Sequence, residues 1–466
     1  MSTIAVILAA GLGKRMKSSL PKVLHPVLGD PSLLWVLRTL PPTVVGAVVV
    51  VHHAKEKVEA ALADWARLGL LPCPVTTVDQ LEPLGTGHAV QVAIPELDRL
   101  GATRVVILCG DVPLIQAATV ARLAQSDGLL IALDLPDPTG YGRVLETPGG
   151  TLQAIVEHKD ASEAQRKIGR VNGGAYGLPW SQLRLALGRL TNDNAQREYY
   201  LTDAVVDVAG QTPVAVEVCP AEELLGMNSR RDQAQLQAYA QARVNGHWMD
   251  EGVTFLDPAG AIVGPRVTLG QDVLVAPGVR LEGAVSVGAG TTLGQGSLLS
   301  DCRIGEDAVI RAYCVIHAAQ VGAGSILGPF AHLREGSVLE EGVHVGNFVE
   351  TKKTTLHRGA KANHLSYLGD AEVGERTNIG AGFISCNYDG FSKHRTVIGQ
   401  DVFVGSDCQI VAPVTLGDRS VIGAGSTITV DVPAGALALT RPPLILKEGG
   451  ADRLREKLKA CERPSK

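Results

Sequence analysis

Residues 263–300 read VGPRVTLGQDVLVAPGVRLEGAVSVGAGTTLGQGSLLS, and within them Val263, Leu269, Val275, Leu281, Val287, Leu293 and Leu299 recur at every sixth place. Gly264, Gly270, Ala276, Glu282, Gly288, Gly294 and Ser300 follow them in turn. A six-residue period marks a hexapeptide parallel β-helix, in which each apolar residue points inward on a flat face and the residue after it makes the corner. The register slips near Cys302, continues through Ile304, Ile310 and Ile316, and returns unbroken as Ile398, Val404, Ile410, Leu416, Ile422 and Ile428. Three hexapeptides close one triangular coil, so residues 263–430 supply about nine coils. The rhythm fails over 346–367 and 382–397, where polar and aromatic residues gather. Both stretches are expected to be surface loops, the usual seat of function on a solenoid.

The chain before this array follows another grammar. Short β-branched runs (4–8, 47–51, 104–108) alternate with helical stretches (33–39, 55–66) over the first 230 residues. That alternation predicts an α/β domain with a mostly parallel, Rossmann-like sheet, whose ligands sit at the carboxyl ends of its strands. Leu236, Tyr239, Ala240 and Val244 stand at helical spacing in a Gln- and Ala-rich stretch, which predicts a linking helix over 231–251. The expected organisation is an α/β domain over 1–230, the linker, and the β-helix with a C-terminal tail over 252–466.

Composition narrows the function. The 466 residues exceed one ordinary domain, and 53 glycines are more than the roughly 7% of average usage, in keeping with a turn-rich repeat. A formal charge of -5 with no block of like charge argues against nucleic acid or an anionic membrane surface as partner. Without a run of about 20 apolar residues or a leader-like start, a cytoplasmic protein acting on small molecules is expected. The eight cysteines form no CxxC pair or zinc-spaced cluster and read as reduced and structural.

Leu8-Ala9-Ala10-Gly11-Leu12-Gly13-Lys14-Arg15-Met16 follows the first strand directly, and Pro21-Lys22-Val23-Leu24 comes soon after. Glycines let backbone N–H groups turn toward a phosphate, and Arg15 and Lys22 add positive charge. The spacing is neither the dinucleotide fingerprint nor a P-loop. Further along stand Gln80, Gly85-Thr86-Gly87-His88, Gly110-Asp111, Gly140-Tyr141-Gly142-Arg143, Glu157-His158-Lys159, Asn172-Gly173 and Gly226-Met227-Asn228. In this order the motifs resemble those of sugar-1-phosphate nucleotidylyltransferases. In the second half, Arg334, Lys352, His364, Tyr367, Asn378, Asn387 and Tyr388 stand in or beside the rhythm breaks. With them, nearly the whole chain resembles the bacterial family of bifunctional N-acetylglucosamine-1-phosphate uridylyltransferases/glucosamine-1-phosphate N-acetyltransferases, which make UDP-N-acetylglucosamine for peptidoglycan and lipopolysaccharide.

That resemblance implies a left-handed β-helix, a homotrimer, and Mg²⁺ as cofactor beside the substrates UTP, glucosamine-1-phosphate, N-acetylglucosamine-1-phosphate and acetyl-CoA. It implies that Leu8, Ala9, Ala10, Gly11, Lys22, Gln80, Gly85 and Thr86 hold the uridine and phosphates. Gly142, Glu157 and Asn172 would hold the acetamido sugar, and Asp111 and Asn228 the metal. Arg15 and Lys22 would stabilise the transferring phosphate. In the second half it implies His364 as base, Arg334, Lys352, Tyr367 and Asn378 as sugar-phosphate contacts, and Ala381, Asn387, Tyr388, Ser406, Ala424 and Arg441 along acetyl-CoA. Two positions depart from the family pattern: Lys14 replaces a usual Thr or Ser, and Cys109 a usual Tyr. The competing readings are a nucleotidylyltransferase whose β-helix only oligomerises or regulates, and a non-catalytic scaffold that would have lost Lys22, Asp111 and His364.

Overall fold

A computed structural model describes residues 2–440 and 442–461, which form two compact units. The first comprises Met1–Asp250 with Pro258–Val267, and the second Glu251–Asp257 with the residues from Thr268 onward.

The β-branched runs of the first unit become one nine-stranded sheet. Thr3–Leu8 lies at its centre, parallel to Val44–Val51 on one side and to Arg104–Cys109 on the other. Val75–Asp79 extends it in parallel beyond Val44–Val51, while Arg170–Pro179 runs antiparallel between Arg104–Cys109 and Leu129–Asp134. Alternation along the central strand divides the core: Ala5 and Ile7 pack on one face with Leu33, Leu37 and Leu62, and Ile4 and Val6 on the other with Leu97, Leu183 and Leu187. Burial on both faces explains why Thr3–Leu8, Val44–Val51 and Arg104–Cys109 are apolar at nearly every position.

The helix expected to link the halves spans Arg230–Asp250 and belongs to the first unit. Leu236 and Ala240 are buried with Met16, Val27, Leu28, Leu114 and Met227, so the compact α/β body runs beyond residue 230.

In the second unit the hexapeptides stack as a parallel β-helix, with nine strands on one of its sheets among the described residues. Leu281, Leu299 and Ile316 stack at one register and are fully buried. The glycine after an apolar residue is a packing requirement at the corner: a Cβ on Gly270 would stand 2.5 Å from the Ala289 amide of the coil above. Buried hydroxyls also contribute, as Thr291 donates to Gly305 O at 2.8 Å and accepts from the Ala308 amide at 3.2 Å.

The two rhythm breaks have different origins. Residues 346–367 form no surface loop. They lie largely within two nine-residue strands, His344–Lys352 and Lys361–Gly369, which carry pairing across a corner between neighbouring faces. The coil there takes seventeen residues, as His344 pairs with Lys361, against eighteen from His332 to Glu350, and two of its fully buried places are held by Thr351 and Ala362 rather than by large apolar side chains, so the period is lost. The break at 382–397 is an insertion, since the coil from Asn378 to Phe403 takes 25 residues. The excess leaves the coil near Asn387 and returns at His394, whose amide donates to Asn387 O at 2.8 Å. No helix among the described residues is long and apolar enough to cross a membrane.

Candidate functional site

At the carboxyl ends of the strands in the first unit, the turn after Leu8 opens a cleft of about 470 Å³. Leu8, Ala9, Ala10, Gly11, Lys22, Gln80, Gly85, Thr86 and Asp111 all line it. The sheet brings them together because Leu8, Gln80 and Cys109–Asp111 each end, or directly follow, a strand of one parallel set in which Thr3–Leu8 neighbours Arg104–Cys109 and Val75–Asp79 lies one strand further out on the other side. Gln80 is buried and donates to Gly85 O at 3.0 Å, which fixes the loop opposite the glycine turn. Thr86 accepts from the Leu201 amide at 3.2 Å, and Gly87 donates to Tyr199 O at 2.7 Å.

Gly85 has φ +112°, and a Cβ there would lie 2.6 Å from Tyr199 O and 2.9 Å from its amide nitrogen. Both the dihedral and the backbone neighbour exclude a side chain. Gly85→Ala is expected to destabilise the first unit by roughly 1–3 kcal/mol and to weaken UTP binding. Calorimetric melting and titration with UTP check this; an unchanged midpoint and affinity would remove the glycine from the design of the cleft.

A second cleft of about 450 Å³ shares Asp111 and Cys109 with the first and is lined by Arg15, Tyr141, Asn172, Gly226 and Asn228. Asp111 thus stands where two clefts meet. Its Oδ2 is ion-paired with Lys22 Nζ, which also donates to Asn228 Oδ1 at 3.3 Å. Asn228 is set by Asp232, which accepts from the Asn228 and Ser229 amides at 2.9 and 2.8 Å. An aspartate oxygen and an amide oxygen converging on one ammonium form a cation-accepting pair, and hard oxygen donors of this kind suit Mg²⁺.

Gly142 and Glu157 line neither cleft but adjoin the second one. Gly142 O accepts from the Asn172 amide at 2.9 Å, and a Cβ on Gly142 would be 3.3 Å from Glu157 Oε1. Burial raises the Glu157 carboxyl above its ordinary range, and Thr202 donates to it at 3.2 Å. Asn172 is held by Tyr176, whose hydroxyl lies 2.7 Å from Nδ2 and 3.0 Å from Oδ1. At the departure from the family pattern, burial pushes the Cys109 thiol up to about 12, so a small neutral thiol faces both clefts. Lys14 is exposed in a short 3-10 turn with Arg15.

In the second unit the nine-residue strands turn a corner at His364. Beyond it, Leu333 pairs with Thr351 and Lys352 with Gly369, which stacks Arg334 and Lys352 on successive coils. Arg334 Nη1 donates to Glu350 Oε1 at 2.8 Å, and Lys352 Nζ lies 2.9 Å from Glu335 Oε1. Tyr367 is the register partner of Glu350, and a Cβ on Gly369 would collide with the Tyr367 hydroxyl. On the near side of the corner Asn378 pairs with Lys361. His364 is exposed, and its Nδ1 lies 3.0 Å from Asn347 Oδ1 one coil below.

Above His364 the same corner carries small residues. Gly382 donates to Leu365 O at 2.8 Å, Asp407 to Ala381 O at 2.7 Å, and Gly425 to Ser406 O at 2.8 Å, so Ala381, Ser406 and Ala424 continue the column of His364. Asn387 is buried at the root of the inserted excursion and donates to Asp370 Oδ2 at 2.6 Å. Tyr388 is exposed, with its hydroxyl donating to Gly390 O at 2.6 Å. Asp389 ties the excursion together, accepting from the Phe391 and Ser392 amides at 2.8 and 2.6 Å and standing 2.7 Å from His394 Nε2. Those amide bonds, with His394, hold its carboxyl well below the usual range. Arg441 lies outside the described residues.

Sequence reading passed over Glu350, Asp232 and Asn347. The last carried a signal, since it stands seventeen residues, one coil, before His364.

Residues 5–136 match the family model of the MobA-like NTP transferase domain, and residues 395–429 that of the bacterial transferase hexapeptide. Fold and clefts together define a transferase of two kinds in one chain, a nucleotidyltransferase followed by a hexapeptide-repeat transferase. The bifunctional protein GlmU of Stutzerimonas stutzeri is 48% identical over 450 residues, 95% of this chain and 97% of that one. Those of Alkalilimnicola ehrlichii (47% identical, 94% of this chain and 93% of that one) and Pelobacter propionicus (43%, 97% and 99%) are similar to it as well. The chain belongs to the bifunctional GlmU family.

Proposed function

We propose that the chain makes UDP-N-acetylglucosamine in two steps: the β-helix unit acetylates glucosamine-1-phosphate with acetyl-CoA, and the α/β unit transfers UMP from UTP to the product, releasing pyrophosphate. The observation that carries this reading over a merely oligomerising β-helix is the corner at His364. An exposed imidazole there stands between a cationic pair, Arg334 and Lys352, and a column of small residues, Ala381, Ser406 and Ala424, fit for an extended thioester substrate.

In the acetyl step Arg334 and Lys352 bind the sugar phosphate, with Tyr367 and Asn378 on its hydroxyls. His364 takes a proton from the sugar ammonium. The freed amine attacks the thioester carbonyl, a C–N bond forms, the C–S bond breaks, and the thiol of CoA leaves. Acetyl-CoA lies along Ala381, Asn387, Tyr388, Ser406 and Ala424, with Arg441 assigned to its phosphates.

In the uridylyl step UTP lies along Leu8–Gly11, Gln80, Gly85 and Thr86, while Gly142, Glu157 and Asn172 orient the acetamido sugar in the second cleft. The sugar-phosphate oxygen attacks the α-phosphorus in line and pyrophosphate departs. Asp111 and Asn228 would hold Mg²⁺, which supplies charge neutralisation at the phosphates. Lys22 and Arg15 stabilise the charge that grows at the transferring phosphate. No protein nucleophile is needed.

A homotrimer in the cytoplasm belongs to this reading. The exposed column of Tyr313, Phe330 and Phe348, stacked at 5.4 and 5.3 Å, supports a partner surface on the β-helix. The test of the proposed function is thiol release from acetyl-CoA that depends on glucosamine-1-phosphate. Its absence in a protein that still forms UDP-sugar would favour the nucleotidylyltransferase with a structural β-helix.

A further inference from the structure

We infer that Asn347 is a positioning residue for acetyl transfer, holding His364 in the one tautomer that can act as a base; the inference rests on the reading of His364 given above. The two residues are register partners on the strands His344–Lys352 and Lys361–Gly369, seventeen residues apart. Each is followed by a residue in the left-handed region, Phe348 (φ 57°) and Leu365 (φ 39°), so both side chains leave the same turn of the corner. Coil stacking therefore sets their separation, and Asn347 Oδ1 lies 3.0 Å from His364 Nδ1.

An amide oxygen has no proton to give. The bond forms only when Nδ1 carries the hydrogen, which leaves the lone pair on Nε2. Asn347 is the one side-chain hydrogen-bond partner of this ring among the described residues. An exposed imidazole without such a partner divides its time between two tautomers and several rotamers. The fraction poised to accept the substrate proton falls accordingly.

The charges around the ring are largely paired with one another. Beyond the corner stand Glu350 with Arg334, and Lys352 with Glu335. On the near face Lys361 shares the strand of His364 and has His344 as register partner. The coil above offers Asn378, Ala381 and Ile384, none of them charged, and Asp407 follows on the next coil. A carboxylate in place of the Asn347 amide thus changes one charge at one ring atom and little else.

The test compares Asn347→Leu, Asn347→Asp and His364→Ala with wild type. Thiol release is followed from about pH 5.5 to 9 under general-base control, and UTP-dependent turnover in the same samples reports on the fold. Asn347→Leu is expected to lower kcat for acetyl transfer by about 10–100-fold with KM for both substrates within about threefold. Asn347→Asp, nearly the same shape, should retain turnover at high pH and move the acid limb of kcat upward by about one unit or more, because a carboxylate stabilises the imidazolium. A residue that only supports the corner would leave that limb in place. Wild-type kcat in Asn347→Leu, or an unmoved limb in Asn347→Asp, overturns the positioning role while an inactive His364→Ala keeps the base assignment. Full acetyl transfer in His364→Ala overturns both.

Discussion

Replacing His364 with alanine is expected to lower acetyl transfer by about 10²–10⁴-fold and to leave uridylyl transfer at the wild-type rate. The substrate amine is largely protonated near neutral pH, so nearly all of the reactive species must be made at the site, and a positioned base contributes on this scale. His364 is placed for that work by backbone rather than by chance of rotamer: its strand continues around a corner, and Nδ1 rests on Asn347. The side chain is exposed and leaves no cavity when truncated, so the fold should survive. Thiol release from acetyl-CoA and UTP-dependent turnover, measured in one preparation, check the split. A mutant acetylating within a few-fold of wild type would take His364 out of the mechanism.

The second large effect belongs to Asp111. Asp111→Ala should lower UDP-sugar formation by at least about a hundredfold, or ~2.7 kcal/mol of transition-state stabilisation, with acetyl transfer intact. Asp111 stands where the two clefts of the first unit meet, and its loss removes one of the two oxygens that converge on Lys22 Nζ, leaving Asn228 Oδ1 alone. Removing divalent ions with a chelator should reproduce the same split in wild type. Isothermal titration with Mg²⁺ in the presence of UTP supplies a readout separate from activity: wild type should bind the ion and Asp111→Ala should not. A folded Asp111→Ala protein that keeps more than about a tenth of its UDP-sugar formation would refute the metal assignment.

The β-helix was legible because its physics is repetitive. One inward apolar residue per face, followed at many corners by glycine, writes a six-residue period that recurs over many coils. The α/β sheet was legible for the opposite reason, its central strands Thr3–Leu8, Val44–Val51 and Arg104–Cys109 being apolar at nearly every position because both faces are covered there. Reading failed where a dropped residue coincides with buried places held by Thr351 and Ala362 in place of large apolar side chains. Loss of period over 346–367 suggested a loop, yet pairing continues through longer strands, since backbone hydrogen bonds do not depend on where the corner falls. The helix at Arg230–Asp250 was recognisable as a helix, but its polar composition hid that Leu236, Ala240 and Asn245 are buried in the first unit.

The site shows the same division. The residues that line the first cleft were named from motifs in sequence order, and the fold gathers them because Leu8, Gln80 and Asp111 end or follow strands of one sheet while Lys22, Gly85 and Thr86 come from the turns beside them. The ion pair of Lys22 with Asp111 joins positions 89 residues apart, and no local pattern foretells it. Asn347 is an intermediate case, readable only once a coil is known to take seventeen residues there, not eighteen.

The claim that two independent sites act in sequence is tested most directly by mixing. Asp111→Ala and His364→Ala proteins, each supplied with glucosamine-1-phosphate, acetyl-CoA and UTP, should separately form almost no UDP-N-acetylglucosamine. Combined in one vessel they should form it at a rate approaching wild type, as the first acetylates and the second uridylylates. A mixture as inactive as its components, although each retains its one partial activity, would contradict the account.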